Sequence, residues 1–337
     1  MKKLLIVLFV FFFLNCKHEN VTSQYISDQT EKELIGTNIF SSIDNTNIFY
    51  DIVIGENYTA CLDFYSDSIL QIYDNTFSIL KMCFFKGNGP NDFLSPFFIQ
   101  KINLDSADLS LLSIVDLNLR NFKYINLTEN DNTVINELMD TEMPMMNSCN
   151  MFSKYIIGFD VDMGMNRLFF IYNKYSKQII NVPYYPHVKH KYKKDTLTFL
   201  YMGSLIANDQ KNSICVALKK MNSIQFYDFS GKIYKSIILG TKLEIPEANE
   251  KYLDFPDSPN YFIDICGTSS FVYCLLNPIR QNDKSKIFIF DWEGNFKTSY
   301  SLKYKIRRMA ISPDGTYLLG LHMSSDGGTD VIRFDIP

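Results

Sequence analysis

The sequence has 337 residues, 46% of them hydrophobic and 21% charged, which gives enough apolar surface for a large core and excludes a mainly disordered chain. With 33 Lys and Arg against 37 Asp and Glu, the formal charge of −4 carries no electrostatic footprint for nucleic acid. Twenty-one Tyr and 28 Phe beside a single Trp, with frequent Ile, Asn, Asp and Ser, form a strand-and-turn vocabulary that predicts an all-β chain.

Lys2 and Lys3 precede an unbroken apolar run from Leu4 to Leu14. This is the n-region and h-region of a secretory signal, and it is too short to span a bilayer. The run ends in Phe13-Leu14-Asn15-Cys16, which resembles a bacterial lipobox, where a signal peptidase cuts ahead of the cysteine and the thiol receives diacylglycerol. Residues 1–15 are therefore expected to be a signal peptide and Cys16 a lipidated N-terminus, with an ordinary secreted protein as the alternative. Cleavage removes Lys2 and Lys3 and leaves an acidic body, so acyl chains rather than charge would hold the protein at the membrane. Lys17-His18-Glu19-Asn20 loosely resembles the charged signal that sends some lipoproteins to the outer face of the outer membrane. Residues 16–40, polar and poor in strand pattern, read as a tether, and residues 41–337 as one folded domain.

Within that domain one pattern recurs: alternating apolar residues, an aromatic or Val, then Asp or Asn and a polar turn. The copies are Gln71–Asp74, Leu112–Asp116, Phe170–Asn173, Ile224–Asp228, Ile287–Asp291 and Val331–Asp335. Their marker residues are 42, 57, 55, 63 and 44 apart, close to the period of a four-stranded propeller blade with loop insertions, and this predicts six blades. Sandwich strands recur every 8 to 12 residues or so without a longer period, so a propeller is favoured over a sandwich. Helix is expected only at Pro246–Tyr252, which Pro256 and Pro259 would stop.

Gly87-Asn88-Gly89-Pro90-Asn91-Asp92-Phe93 is expected to be a structural loop. Gly87 and Gly89 would permit positive φ, Pro90 would fix the bend, and Phe93 would pin the loop to a blade. A phosphate-binding role is excluded by the missing Gly-Lys-Ser/Thr ending. Asp160–Asn166 clusters oxygen ligands, but an EF-hand would need Glu where Ile171 stands, so an exposed acidic turn is expected and no metal or cofactor is assigned. Tyr184, Tyr185, His187 and His190, among Lys189, Lys191, Lys193 and Lys194, could form an aromatic and basic lip that contacts an acidic glycan or protein. The plainer alternative is a solvated insertion. The six cysteines after Cys16 contain no C-x-x-C pair and are expected to be buried as small hydrophobes, with a disulfide between neighbouring strands as the alternative that an oxidising envelope would permit.

Ala310-Ile311-Ser312-Pro313-Asp314-Gly315-Thr316-Tyr317-Leu318 is similar to the A-x-S-P-D-G-x-x-L repeat of TolB-type propellers, in which Pro and Asp-Gly shape a tight turn. The Gly87–Phe93 segment resembles the G-x-G-P-x-D/E-F loop of exported six-bladed propellers. With the lipobox, these motifs resemble the TolB-like six-bladed β-propeller lipoproteins. The resemblance implies four-stranded antiparallel blades and brings no catalytic residue set with it. The function expected is an envelope-anchored binding module for a protein or glycan. The competing reading is an envelope hydrolase or lyase that gathers side chains in the central funnel, since no G-x-S-x-G, H-E-x-x-H or Walker sequence occurs.

Overall fold

In the computed structural model the described residues are 21, 23–27, 32–41, 47–63, 65–74, 76–99, 102, 111–127, 134–160, 166–188, 192, 194–247, 258–277 and 284–337. The signal peptide, Cys16, the Lys17–Asn20 segment and His190 lie outside them, as do most of the acidic turn after Asp160 and most of the expected helix from Pro246.

The fold begins with three short strands: β1 (Ser23–Ile26), β2 (Lys32–Leu34) and β3 (Thr37–Ser41). Six sheets follow. The first joins β4 (Phe49–Ile54), β5 (Thr59–Asp63), β6 (Leu70–Tyr73) and β7 (Ile79–Cys83). The second joins β8 (Pro96–Phe98), β9 (Leu111–Asp116), β10 (Asn121–Asn126) and β11 (Val134–Leu138). The third joins β12 (Met146–Met151), β13 (Tyr155–Asp160), β14 (Phe169–Asn173) and β15 (Ile179–Val182). After a short helix, α1 (Lys194–Leu200), the fourth joins β16 (Gly203–Asn208), β17 (Ser213–Leu218), β18 (Ser223–Tyr227) and β19 (Ile233–Leu239). The fifth joins β20 (Phe262–Gly267), β21 (Phe271–Leu276), β22 (Lys286–Asp291) and β23 (Phe296–Leu302). The sixth holds β24 (Ile306–Ile311), β25 (Tyr317–Met323) and β26 (Thr329–Asp335).

The last sheet is completed from the other end of the chain. β3 pairs antiparallel with β26, with Phe40 opposite Val331, and this closes the ring. The first strands adjoin around the axis, β12 to β16, β16 to β20, β20 to β24, β24 to β4 and β4 to β8. The protein is a six-bladed, all-β propeller with antiparallel four-stranded blades.

The tether expected over residues 16–40 is corrected by β1 and β2. β2 adds a parallel fifth strand to the outer edge of blade 5, with Glu33 opposite Ser301, and β1 does the same on blade 4, with Tyr25 opposite Ile238. The N-terminal segment is thus a strap around the rim of blades 4, 5 and 6, and the folded unit begins before residue 41. These strands escape the sequence pattern because an outermost strand packs only one face, so its residues need not be apolar.

Apolar residues alternate into six layers, one between each pair of neighbouring blades, and the sequence repeat marks the strands that supply them. Five copies fall on the third strand of a blade. In blade 2, Leu112–Asp116 is the second strand, and the third is Asn121–Asn126. The marker residue shapes the hairpin that follows the third strand: Asp228 Oδ1 accepts the N–H of Ser230 (2.9 Å) and Lys232 (3.0 Å), and Asn173 Oδ1 those of Tyr175 (3.0 Å) and Ser176 (3.1 Å).

Because first and third strands run in the same direction, the turns from first to second and third to fourth strand share one face, here called the turn face. Connections between blades lie on the other, the connection face.

Candidate functional site

Each first strand starts at the connection face, and four of them carry a β-bulge near that end. The register shifts between Phe49 and Asp51, Met146 and Ser148, Phe262 and Asp264, and Ile306 and Arg308. A bulge re-aims the residue after it. Asp51, Ser148, Asp264 and Arg308 accordingly line one small cavity in the channel, with Asn147, Asn150 and Ser204 beside them.

Arg308 Nη1 donates to Asp264 Oδ1 at 2.8 Å, and its Nε stands 3.5 Å from Asp51 Oδ1. Each carboxylate also clamps the next blade: Asp51 Oδ2 accepts the Phe98 N–H at 2.9 Å, and Asp264 Oδ2 accepts the Met309 N–H at 2.7 Å. Burial pushes the pKa of both acids up, and the nearby guanidinium only partly opposes this. Asp264 in turn holds Arg308 above its ordinary value. Two acids therefore share one cation. The cavity measures about 30 Å³, room for one or two waters and no substrate.

Sequence reading did not find this cluster. The only signal was the start of two strands in an aromatic residue followed two places later by Asp, Phe49-Tyr50-Asp51 and Phe262-Ile263-Asp264. Two-residue alternation assigns neighbours to opposite faces, and a bulge breaks that rule.

The Gly87–Phe93 loop joins blades 1 and 2 on the connection face. The positive φ expected at Gly87 and Gly89 is not found; the glycines with positive φ are Gly231, Gly240, Gly294, Gly315 and Gly327. Their requirement is space. A Cβ on Gly87 or Gly89 would come within 2.5 or 2.6 Å of Asp92 Oδ2, and that carboxylate accepts the Gly89 N–H at 3.0 Å. Pro90 presents its carbonyl to Lys123 Nζ at 3.2 Å and to Asn136 Nδ2 at 3.0 Å, and the Asp92 carbonyl accepts from Lys123 as well. Lys123 is wholly buried, with Nζ 4.7 Å from the centroid of the buried Phe93 ring. Desolvation lowers its pKa.

The expected aromatic lip lies in the connection from blade 3 to blade 4, where Tyr184, Tyr185 and His187 are described. Tyr184 is half-buried and stacks on Tyr201, with ring centroids 4.4 Å apart. The Tyr201 hydroxyl donates to the Pro186 carbonyl, and Gln225 Nε2 donates to the Tyr185 carbonyl at 2.6 Å. His187 is exposed, its ring 6.2 Å from that of Tyr185. In the next connection, Asn222 holds the carbonyls of Leu239 (2.6 Å) and Lys242 (2.8 Å) and the N–H of Glu244 (2.7 Å).

Ser312, Pro313, Asp314 and Gly315 form the first turn of blade 6, on the turn face. Gly315 has φ 74°, its N–H donates to the Ser312 carbonyl at 2.9 Å, and Ser312 Oγ accepts the Tyr317 N–H at 3.1 Å. The described cysteines Cys61, Cys149, Cys215, Cys266 and Cys274 are buried and unbridged. Among the described residues no three His, Cys, Asp or Glu side chains meet as a metal site, and no helix is long and apolar enough to cross a membrane.

No protein-family model and no curated protein matches this sequence. Solved structures do match in shape. A Bacteroides fragilis protein described as a candidate exported protein is 10% identical over 94% of this chain and 100% of its own, with a TM-score of 0.55. A Bacteroides vulgatus member of the DUF4221 family is 11% identical over 90% of this chain and 96% of its own, with a TM-score of 0.53. At such identity the likeness extends to the fold alone.

Proposed function

We propose that this protein is an exported, lipid-anchored binding module of the TolB-like propeller kind, which recognises an envelope protein with its connection face. The observation that carries the reading is the contrast between that face and the channel beneath it. Buried side chains of the blades, Lys123, Gln225 and Asn222, hold three of the connections from below, so the face is pre-organised and loses little entropy on binding. The cavity described in the channel holds only about 30 Å³, and its acids already serve Arg308 and the neighbouring backbone.

The anchor follows from Cys16 and from the strap. Cys16 stands seven residues before Ser23, so a lipid there would keep the rim of blade 4 within about 25 Å of an outer-membrane surface. Cross-linking tests both parts. A photo-reactive residue at the exposed His187, on the connection face, is expected to give one discrete protein adduct in isolated envelopes. The same residue at Lys211, exposed on the turn face, should give none. Equal labelling from both positions, or none from His187, would contradict the reading. Cys16→Ala should move the protein from the membrane to the soluble fraction, and unchanged fractionation would remove the anchor from the account.

One observation favours the other reading, an envelope hydrolase or lyase: the upward pKa of Asp51 and Asp264 suits acid and base work. That chemistry would require Arg308 to leave the channel. A turnover that disappears in Asp51→Asn while the fold is kept would establish it.

A further inference from the structure

A cavity of about 390 Å³ lies on the turn face between blades 5 and 6, and its size is that of small-ligand pockets. Its walls are the Thr268–Phe271 turn of blade 5 and the Pro313–Gly315 turn of blade 6, so the Ser-Pro-Asp-Gly segment that identifies the sixth blade is also half of a cleft. Tyr273, Tyr300 and Ile289 are buried in the lining, and Phe271, 37% exposed, stands at the edge.

The charged side chains of the cleft are already occupied. Lys297 pairs with Asp291 at 2.7 Å, and the Asp314 carboxylate accepts the Thr316 N–H at 3.1 Å and its hydroxyl at 2.9 Å. The polar groups left over are hydroxyls. Tyr300 is only 5% exposed, and no described residue hydrogen-bonds its hydroxyl, which is left to the solvent of the cleft. Ser269, Ser270 and Thr298 add further hydroxyls along the walls.

A phosphate would find no free cationic side chain there, a metal ion no free carboxylate side chain, and a purely apolar ligand would leave the Tyr300 hydroxyl without a partner. A polyhydroxylated ligand with one apolar face satisfies both conditions: its hydroxyls donate and accept as the walls do, and its C–H face lies on the aromatic rings. We propose that the cleft between blades 5 and 6 binds a neutral sugar unit, oriented by the Tyr300 hydroxyl and by Ser269, Ser270 and Thr298. This site is on the face opposite the one proposed for protein recognition, so either proposal can fail alone.

The test is saturation-transfer NMR on the purified protein with glucose, galactose, N-acetylglucosamine and their β-linked disaccharides, with glucuronic acid and glucosamine as charged controls. The proposal predicts transfer to at least one neutral sugar, weaker transfer to the charged controls, and competition among the neutral ligands for one site. Tyr300→Phe removes a single hydroxyl without changing the ring and should weaken binding about five- to tenfold, the effect of one lost hydrogen bond. Thr298→Trp fills the cleft and should abolish binding with the melting temperature kept. No transfer to any neutral sugar, equal binding of the charged controls, or affinity unchanged in Tyr300→Phe would each overturn the proposal. If Thr298→Trp does not fold, Tyr300→Phe decides alone.

Discussion

At the scale of single residues, the channel is a problem in charge. Asp51 and Asp264 face one guanidinium, and burial raises the pKa of both acids above that of the unfolded chain. The native state therefore holds more protons than the unfolded state between those values. Its stability from this source is complete below the unfolded pKa and is lost as pH rises through the folded values. Asp51→Asn removes the surplus charge, keeps an oxygen for the Phe98 N–H, and loses other contacts of the carboxylate. The variant is expected to melt below the wild type by the largest margin near pH 4, and the margin should narrow as pH rises from there. Comparing the two melting curves cancels acids that act in the opposite sense, such as Asp140, held down to about 2 by the Tyr172 hydroxyl. A margin that is constant or widens with pH would show that Asp51 is not the strained acid.

At the scale of elements, the strap is the part least visible in the sequence and the one that completes the fold. Ser-Gln-Tyr-Ile, Lys-Glu-Leu and Thr-Asn-Ile-Phe-Ser are too short and too polar to show a period, because each lies at the outside of a blade already formed. The repeated third strands, packed on both faces between apolar layers, show it clearly. Blade 2 explains the one misplaced copy. Asp116 ends a second strand and accepts the N–H of Leu94 (2.7 Å) and Leu119 (3.1 Å), so a marker of the same chemistry shapes a different turn. The residues of the Gly87–Phe93 loop were legible but the reason for its glycines was not, because it depends on a carboxylate folding back and on Lys123 from a distant strand. In β3, Phe40 lies 5.5 Å from both Phe49 and Phe77 and 5.7 Å from Tyr73, between blades 6 and 1. Phe40→Ala should lower the unfolding free energy by about 2–3 kcal/mol in urea titration, the scale of a truncated, partly buried aromatic. A loss below about 0.5 kcal/mol, typical of a surface substitution, would mean that the strap does not close the ring.

At the scale of the whole molecule, six apolar layers replace a single central core, and the same ring is reached by chains only 10% and 11% identical. What such a ring needs from its sequence is strand alternation and turns, which leaves the connections free to vary and to recognise a partner. Recognition by a pre-organised face requires those connections to be held rigid by the blades beneath. Amide hydrogen exchange measures this directly. Phe93, whose N–H donates to the Phe85 carbonyl at 3.0 Å, and Tyr201, whose N–H donates to the Leu197 carbonyl at 3.0 Å, are predicted to exchange as slowly as the amides of β18 and β22. Exchange of these amides at the rate of an open loop, with the strands protected, would contradict a pre-organised recognition face.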